Sequence, residues 1–531
     1  MSIIQDFTGG LNNKLNPIKL LDNQGQVFEN IDIISNCLTA LKEAKAISDA
    51  TDKSPYFFKD NWSFADRTTS YARLLGLAYR AYNDKLEKTA DGNRWVNMWI
   101  TPPPQAPLVT KGEDYPEGDE TPYGFYGEGY YYCYTYYDSE TGNESAPSLT
   151  SSGTDGKGIT IGSVTGEKPN EKWVKGRALV SVIASTDPQI DTIRIYRQGG
   201  GLINMQLTKE VPNKTEVYVD NSTADTVTQI NQQLETLGYI QPPEVSYICA
   251  YYALLFGVSK KRSNIIYFSN EANPLIWDPL NYIIFDEPVI GFGASSLGLL
   301  VFTEYRVYII YGTSPAEFQR YLLYDNVGCI SHNSIQAYKG SVIWQAQDGI
   351  YMFDGSNCTN LTLMTLKTFD EKIVSSCFYD ECYYGLLESG NIITVDFKFE
   401  QRPVMIIKDS FDGIHAAKNR VYGVKNNKLY EIVGGDSYRI LHWRSKAYNE
   451  NAVTVQKNYK YIQLYVKGEF TFKTYTDGRL AAEVNLKNGY NEVKLQQDLR
   501  LGYTIEFELE GKGQVLELAY SLESRLQSRG V

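Results

Sequence analysis

At 531 residues the chain has room for about three or four domains, each large enough to bury a core without disulfide or metal staples. Its net charge of −12 and the lack of any dense Lys and Arg run exclude ordinary nucleic-acid binding, which needs cationic stripes to displace counterions from phosphate. The seven cysteines (Cys37, Cys133, Cys249, Cys329, Cys358, Cys377 and Cys382) are scattered. The C-x4-C spacing of Cys377 and Cys382 has no second pair, which discounts zinc and predicts free, mostly buried thiols in a reducing compartment.

Tyrosine is the outlier, with 42 copies against 21 Phe and 7 Trp. A flat apolar ring with a polar tip suits half-buried strand faces, or a surface made to pack on other subunits. The opening ten residues, Met1 to Gly10, lack the basic and then apolar segments of a secretory signal. No stretch approaches the ~20 apolar residues that span a bilayer. A soluble chain made in a cytoplasm is therefore expected.

Taken in order, the first strand candidates are Leu74-Leu75-Gly76-Leu77-Ala78-Tyr79 and Trp95-Val96-Asn97-Met98-Trp99-Ile100. Thr101-Pro102-Pro103-Pro104 and the acidic, Pro- and Gly-bearing stretch 111–120 then mark a boundary. Beyond it, Tyr130 to Tyr137, Thr192 to Arg197 and Glu216 to Asp220 are β-rich or alternate with period two. Short strands between turn clusters predict an inserted immunoglobulin-like sandwich over 121–240. Thr228 to Leu237 is one of few helical candidates.

The middle of the chain repeats in pattern. Leu254 to Val258 turns through Lys260-Lys261-Arg262 into Ile265 to Phe268. Leu299 to Phe302 leads to Val307 to Ile310, and Val342-Ile343-Trp344 turns at Gln347-Asp348-Gly349 into Ile350 to Phe353. Tyr383 to Leu387 turns at Ser389-Gly390-Asn391 into Ile392 to Val395, and Val421 to Val424 turns at Asn426-Asn427 into Leu429 to Ile432. Each unit is a hairpin signature. The first strands begin at 254, 299, 342, 383 and 421, so the steps are 45, 43, 41 and 38 residues. Propeller blades repeat at about 40–45 residues, and one hairpin is half a blade. A meandering sandwich is the competing fold. After Trp443, alternating segments around Asp477-Gly478 and Asn488-Gly489 predict a separate small sandwich. The expected fold is all-β: a β-propeller of about six blades with the inserted sandwich and a C-terminal β-sandwich. Its boundaries are 1–120 for an N-terminal arm and first propeller strands, 121–240 for the insert, 241–450 for the main blades and 451–531 for the last unit.

Catalytic chemistry finds little footing. His332, His415 and His442 are far apart and form no H-x-x-H frame, so each reads as structural. Ser331-His332-Asn333-Ser334 looks like a strand-edge turn, and no G-x-S-x-G elbow exists. Gly291-Phe292-Gly293-Ala294-Ser295-Ser296 lacks the last glycine and the βαβ setting of a dinucleotide loop, and Gly199-Gly200-Gly201 reads as a loop tip. Asp138 to Glu144 lacks a full calcium ligand set. Asp286, Glu287, Glu304 and Asp348 are candidates for the paired carboxylates of a propeller glycosidase. The sialidase Asp box, however, is matched neither by Ser269-Asn270-Glu271 nor by Asp348-Gly349-Ile350-Tyr351. No catalytic, cofactor or metal residue is nominated.

Phe7-Thr8-Gly9-Gly10-Leu11-Asn12, then Pro17, Asn30 and Cys37 to Lys42, resembles the opening of tail proteins from short-tailed phages. The central series resembles the nozzle proteins of podovirus-type tails, also called tail tubular protein B or packaged-DNA stabilisation protein. It runs through Phe256-Gly257-Val258, Ile266 to Ser269, Pro274, Trp277, Leu300 to Glu304, Val307-Tyr308, Val327-Gly328-Cys329, Trp344 and Asp348 to Gly355. The resemblance implies a structural subunit of a homohexameric ring at the distal end of the tail. Such a ring continues the DNA channel, helps retain packaged DNA until DNA ejection, and meets the tail adaptor and portal-side proteins and the tail fibres or needle. It would be assembled in a bacterial cytoplasm and reside in the virion. An acidic lining would let DNA slide without sticking. The alternative is a peripheral receptor-binding or glycan-binding propeller, possibly hydrolytic. A cellular surface protein unrelated to phage is a third reading.

Overall fold

The computed structural model describes residues 2–32, 37–111, 129–151, 158–159, 163–164, 173–174, 177–220, 222, 224–271 and 273–524. All of the stretch 111–120 except Lys111 lies outside these residues. The repeated hairpins form a β-propeller. Each is the central pair of a four-stranded antiparallel sheet, which adds an axial strand before it and an outer strand after it. Blade 2 is Val245–Tyr251, Leu254–Ser259, Ile265–Phe268 and Tyr282–Ile284. Blade 3 is Val289–Ala294, Leu299–Thr303, Arg306–Tyr311 and Gln319–Asp325. Blade 4 is Gln336–Tyr338, Ser341–Ala346, Gly349–Phe353 and Cys358–Asn360. Blade 5 is Ile373–Tyr379, Cys382–Leu387, Ile392–Asp396 and Val404–Ile407.

Blade 1 is Ser70–Leu74, Leu77–Tyr82, Lys85–Thr89 and Val96–Asn97. Here the apolar runs mislead. Leu74 to Tyr79 crosses the turn between two strands, and the partner of Leu77–Tyr82 is the charged Lys85–Thr89. Blade 6, Gly413–Ala417, Arg420–Lys425 and Lys428–Glu431, takes its fourth strand, Lys45–Asp49, from the other end of the chain. That pairing closes the ring, as a stack of blades requires if no blade is to leave a face bare.

Six four-stranded blades do not fill the circle. The hairpin Ser54–Phe58 and Asn61–Ala65 occupies a seventh sector between blades 6 and 1. Its axial strand packs on that of blade 6, and Tyr56 stacks on Tyr71 of blade 1 with centroids 4.1 Å apart. Apolar side chains fill the wedges between blades. Phe302 of blade 3 meets Trp344 of blade 4 at 5.0 Å, both with no exposed surface, and burial of such a side chain contributes about 1.5–3 kcal/mol.

The insert between blades 1 and 2 is a two-sheet sandwich. Leu108–Lys111, Ala178–Val182 and Glu216–Asp220 form one sheet. Asn143–Glu144, Tyr131–Asp138, Thr192–Gly199 and Leu202–Pro212 form the other. Alternation along the tyrosine run sends Tyr132, Tyr134 and Tyr136 into the core with Val180, Ile193 and Ile195. Much of the tyrosine surplus is therefore spent inside. The helix after this sandwich is Ala224–Ile230, earlier than expected. Asn231, at φ 52°, leaves the helical region and stops it.

The C-terminal strands are not a separate unit. Lys457–Thr476 and Ile505–Ser524 pair along their lengths, with Arg479–Leu486 and Gly489–Lys494 on the outer edge. The same sheet continues through Leu441–Ser445 and Gly25–Glu29 into blade 5, where Glu29 pairs in parallel with Ile406. The N-terminal segment is thus no free arm. Ser2–Ile4, Gly25–Glu29 and Leu38–Ala40 are strands that bind the C-terminal sheet to the propeller.

Candidate functional site

Seven axial strands converge on the cavity. Six of the sectors supply small side chains there, Ala72, Cys249-Ala250, Gly293-Ala294, Ala337, Ser375-Ser376 and Ala416, while the seventh supplies Tyr56. Gly291 shows how tight the packing is, since a Cβ there would lie 2.4 Å from Nδ1 of His332. The supposed dinucleotide-type loop is this axial strand. Register shifts between Val245 and Ile248, Val289 and Gly291, and Ile373 and Ser375 bulge three of the axial strands near the same end. Such bulges re-aim the side chains beside them.

The strands enclose an axial cavity of about 540 Å³. One end is bridged. The turn His332–Ser334 ahead of blade 4 reaches across the axis: His332 Nε2 lies 3.0 Å from Ser70 Oγ of blade 1, and its ring stacks on Tyr247 at 4.3 Å. Asn333 Nδ2 donates to the carbonyls of Arg67 (2.8 Å) and Val374 (3.0 Å). Ser376 Oγ donates to the Asn333 carbonyl at 2.5 Å, and Gln336 Nε2 donates to Ser376. These bonds leave Asn333 Oδ1 and Gln336 Oε1 without a donor among the described residues. At the other end the axial strands run out into turns, and exposed Arg73 stands there.

Each histidine has a place. His332 and His415 both line the cavity. Burial pushes His332 down to about 4 and His415 to about 3, the latter with help from the Arg73 charge, so both are neutral near pH 7. Nδ1 of His332 and Nε2 of His415 are sealed from solvent and carry no hydrogen bond. His442 stands apart on the sheet that joins blade 5 to the C-terminal strands. Its Nε2 is 3.0 Å from Glu508, and hydrogen bonds that the ring donates to Glu29 first and then Glu508 raise its pKa.

Ser70 and His332 meet the distance of a nucleophile and base. The pair lacks the third group: nothing orients His332 Nδ1, and a ring titrating near 4 is a weak base at neutral pH. Sequence reasoning missed Ser70, Arg73 and Gln336. The recurring small residues a few positions ahead of each apolar hairpin were the only signal.

The carboxylate candidates do not enter the cavity, and no Asp or Glu is among its lining residues. Glu287 is held by Thr303 Oγ1 (2.7 Å) and Arg306 (2.9 Å). Asp348 accepts from Tyr351 and Asn360, and Asp286 and Glu304 are exposed. Asp138 caps a hairpin turn by accepting from Glu140 N and Thr141 Oγ1. Gly199, Gly200 and Gly201, all at positive φ, make the turn between two strands of the insert. Among the described residues no His, Cys, Asp and Glu cluster could hold a metal. The cysteines form no disulfide among the described residues, and burial pushes Cys249 and Cys329 up to about 12.

No protein-family profile matches the chain, and no curated protein does. Solved structures that it is similar to include a chain of the mitotic checkpoint complex, at 8% identity over 69% of this chain and 90% of that one, with a TM-score of 0.30. Another is Hsv2 of Kluyvelomyces marxianus, at 9% identity over 50% and 72%, with a TM-score of 0.25. A third is the C-terminal WD40 domain of Sif2, at 12% identity over 74% and 99%, with a TM-score of 0.29. Such likeness bears on fold alone. The expected role as a tail-nozzle subunit is withdrawn: none of the three is a tail protein, and the one whose description names its fold is a WD40 domain. The hexameric ring, tail partners and virion location rested on that resemblance and on nothing in the fold. What the comparisons leave is a β-propeller of general type.

Proposed function

We propose that this chain is a non-catalytic recognition module that takes a small saccharide in its axial cavity. The observation that carries this reading is the cavity itself. About 540 Å³ is within the range of small-ligand sites. Its wall offers unused acceptors for sugar hydroxyls, Asn333 Oδ1 and Gln336 Oε1, next to the flat rings of Tyr56, Tyr71 and Phe378. Hydrolysis is disfavoured on the same ground, since glycosidases use two carboxylates and none lines the wall.

Glycan-array screening of the full chain, followed by calorimetry on the hits, tests the proposal. Saturable binding lost in Ala416→Leu, which fills the cavity, and weakened in Gln336→Leu is the expected result. Array binding indifferent to both changes, or no saccharide above background, refutes it. Release of reducing sugar that disappears in Ser70→Ala would mean the Ser70–His332 pair is catalytic.

A further inference from the structure

The unbridged end of the cavity carries several cations, with Asp60 beside Lys59 in the same turn and Lys59 Nζ donating to the Ala90 carbonyl at 2.8 Å. Three cations stand round the hairpin that fills the seventh sector: Lys59 in its turn, Arg73 at the end of the axial strand of blade 1, and Lys418 after the axial strand of blade 6. Each lies against an aromatic ring of Ser54–Phe58. The Arg73 guanidinium is 5.3 Å from the centre of Tyr56 and 5.6 Å from Phe58. Lys59 Nζ is 5.3 Å from Phe58, and Lys418 Nζ is 4.9 Å from Phe57.

No carboxylate among the described residues forms an ion pair with any of the three, although the protein as a whole is acidic. Elsewhere on this rim the charges are cancelled: Lys339 pairs with Glu381 and Lys398 with Asp380. Arg73 is also fixed in place. Its Nε donates to Tyr56 Oη (2.9 Å) and its Nη2 to the Phe57 carbonyl (2.6 Å), which leaves Nη1 unused. His415, packed on the other side of Tyr56 at 5.2 Å, adds a buried ring nitrogen without a partner. A guanidinium held by neutral acceptors, with donors to spare, is pre-organised for an oxyanion and loses little side-chain freedom on binding one.

We propose that Arg73, Lys59 and Lys418 form an oxyanion subsite at the mouth of the axial cavity, so that the preferred ligand is an acidic saccharide. The proposal rests on the saccharide reading above and adds the charge of the ligand. A carboxylated and a sulfated sugar present the same chemistry to these groups.

Titration of the full chain with glucose, glucuronate, glucose 6-sulfate and inorganic sulfate, at two salt concentrations, tests it. Glucuronate is expected to bind more tightly than glucose, with salt weakening the difference. Lys418→Gln should cost about tenfold to a hundredfold for glucuronate and leave glucose unchanged, and Arg73→Gln should weaken glucuronate by a larger factor than glucose. Lys418 makes no buried hydrogen bond, so its variant guards against misfolding of the Arg73 one. Tighter binding of the sulfated sugar would retain the subsite and change its anion. Equal affinity for glucose and glucuronate, unmoved by either variant, overturns the subsite and leaves the saccharide reading standing. Binding of sulfate alone, lost in Arg73→Gln, keeps the subsite and sinks the saccharide reading. Binding of none of the four sinks both.

Discussion

Removing Asp220 from the inserted sandwich isolates one buried charge. Asp220 and Arg197 have fully buried side chains and meet at 2.9 Å. The carboxylate also accepts from Tyr132 Oη at 2.9 Å and from Ser222 N and Oγ at 3.0 and 2.7 Å. In Asp220→Ala the guanidinium loses its carboxylate while its bond to the Ser222 carbonyl, at 3.1 Å, remains, and Tyr132 Oη, Ser222 N and Ser222 Oγ lose their acceptor. Breaking a buried pair by removing one partner costs about 3–5 kcal/mol, whereas replacing both by apolar groups of similar volume is often neutral. The insert leaves and re-enters the propeller between blades 1 and 2, so it can open locally. Native-state hydrogen exchange on peptides from Tyr131–Asp138 and Thr192–Gly199 reads that opening. At about 1.4 kcal/mol per factor of ten, exchange should accelerate on the order of 10²- to 10⁴-fold in Asp220→Ala. Arg197→Met with Asp220→Leu should recover most of it, and blade peptides should not change. Equal loss in the single and double variants would mean that packing volume, not the stranded charge, sets the cost.

Two further expectations follow from buried positions. Gly291→Ala places a methyl 2.4 Å from His332 Nδ1 and 2.7 Å from Ile335 Cδ1. It should destabilise by about 1–3 kcal/mol in urea denaturation, and His332→Ala in the same chain should restore part of the loss. A Gly291→Ala chain as stable as wild type would show that the turn at the bridged end is loose. Burial drives the Lys88 pKa down to about 8 from 10.5. Between those values the unfolded chain binds more protons, so this group makes stability rise with pH across that window. Lys88→Met should therefore be more stable than wild type at pH 7, by about 3 kcal/mol, with the gap closing toward pH 10. A gap that stays constant with pH would place the gain in packing instead.

The strand class, the blade period and the absence of a helical core were legible in the sequence because they are local. The middle two strands of each blade are covered on both faces, so runs such as Leu254–Ser259 and Leu299–Thr303 are buried at every position and stand out as unbroken apolar stretches. The axial strands face a narrow cavity and the outer strands face solvent. Ser375-Ser376 at the axis and the exposed Gln319–Asp325 at the rim therefore carry no comparable signal. The same physics hid Lys85–Thr89 and the Lys45–Asp49 strand that closes the ring.

Tertiary structure alone decided the rest. The sequence neighbours of Ser70 do not predict that it meets His332, because the contact crosses the propeller axis between blades 1 and 4. Arg73 and Lys418 both reach rings of the Ser54–Phe58 strand only because ring closure sets blade 6 and blade 1 on either side of that hairpin. Local pattern sets which residues pair along a strand; ring closure, a long-range event, sets which residues face one another across the cavity.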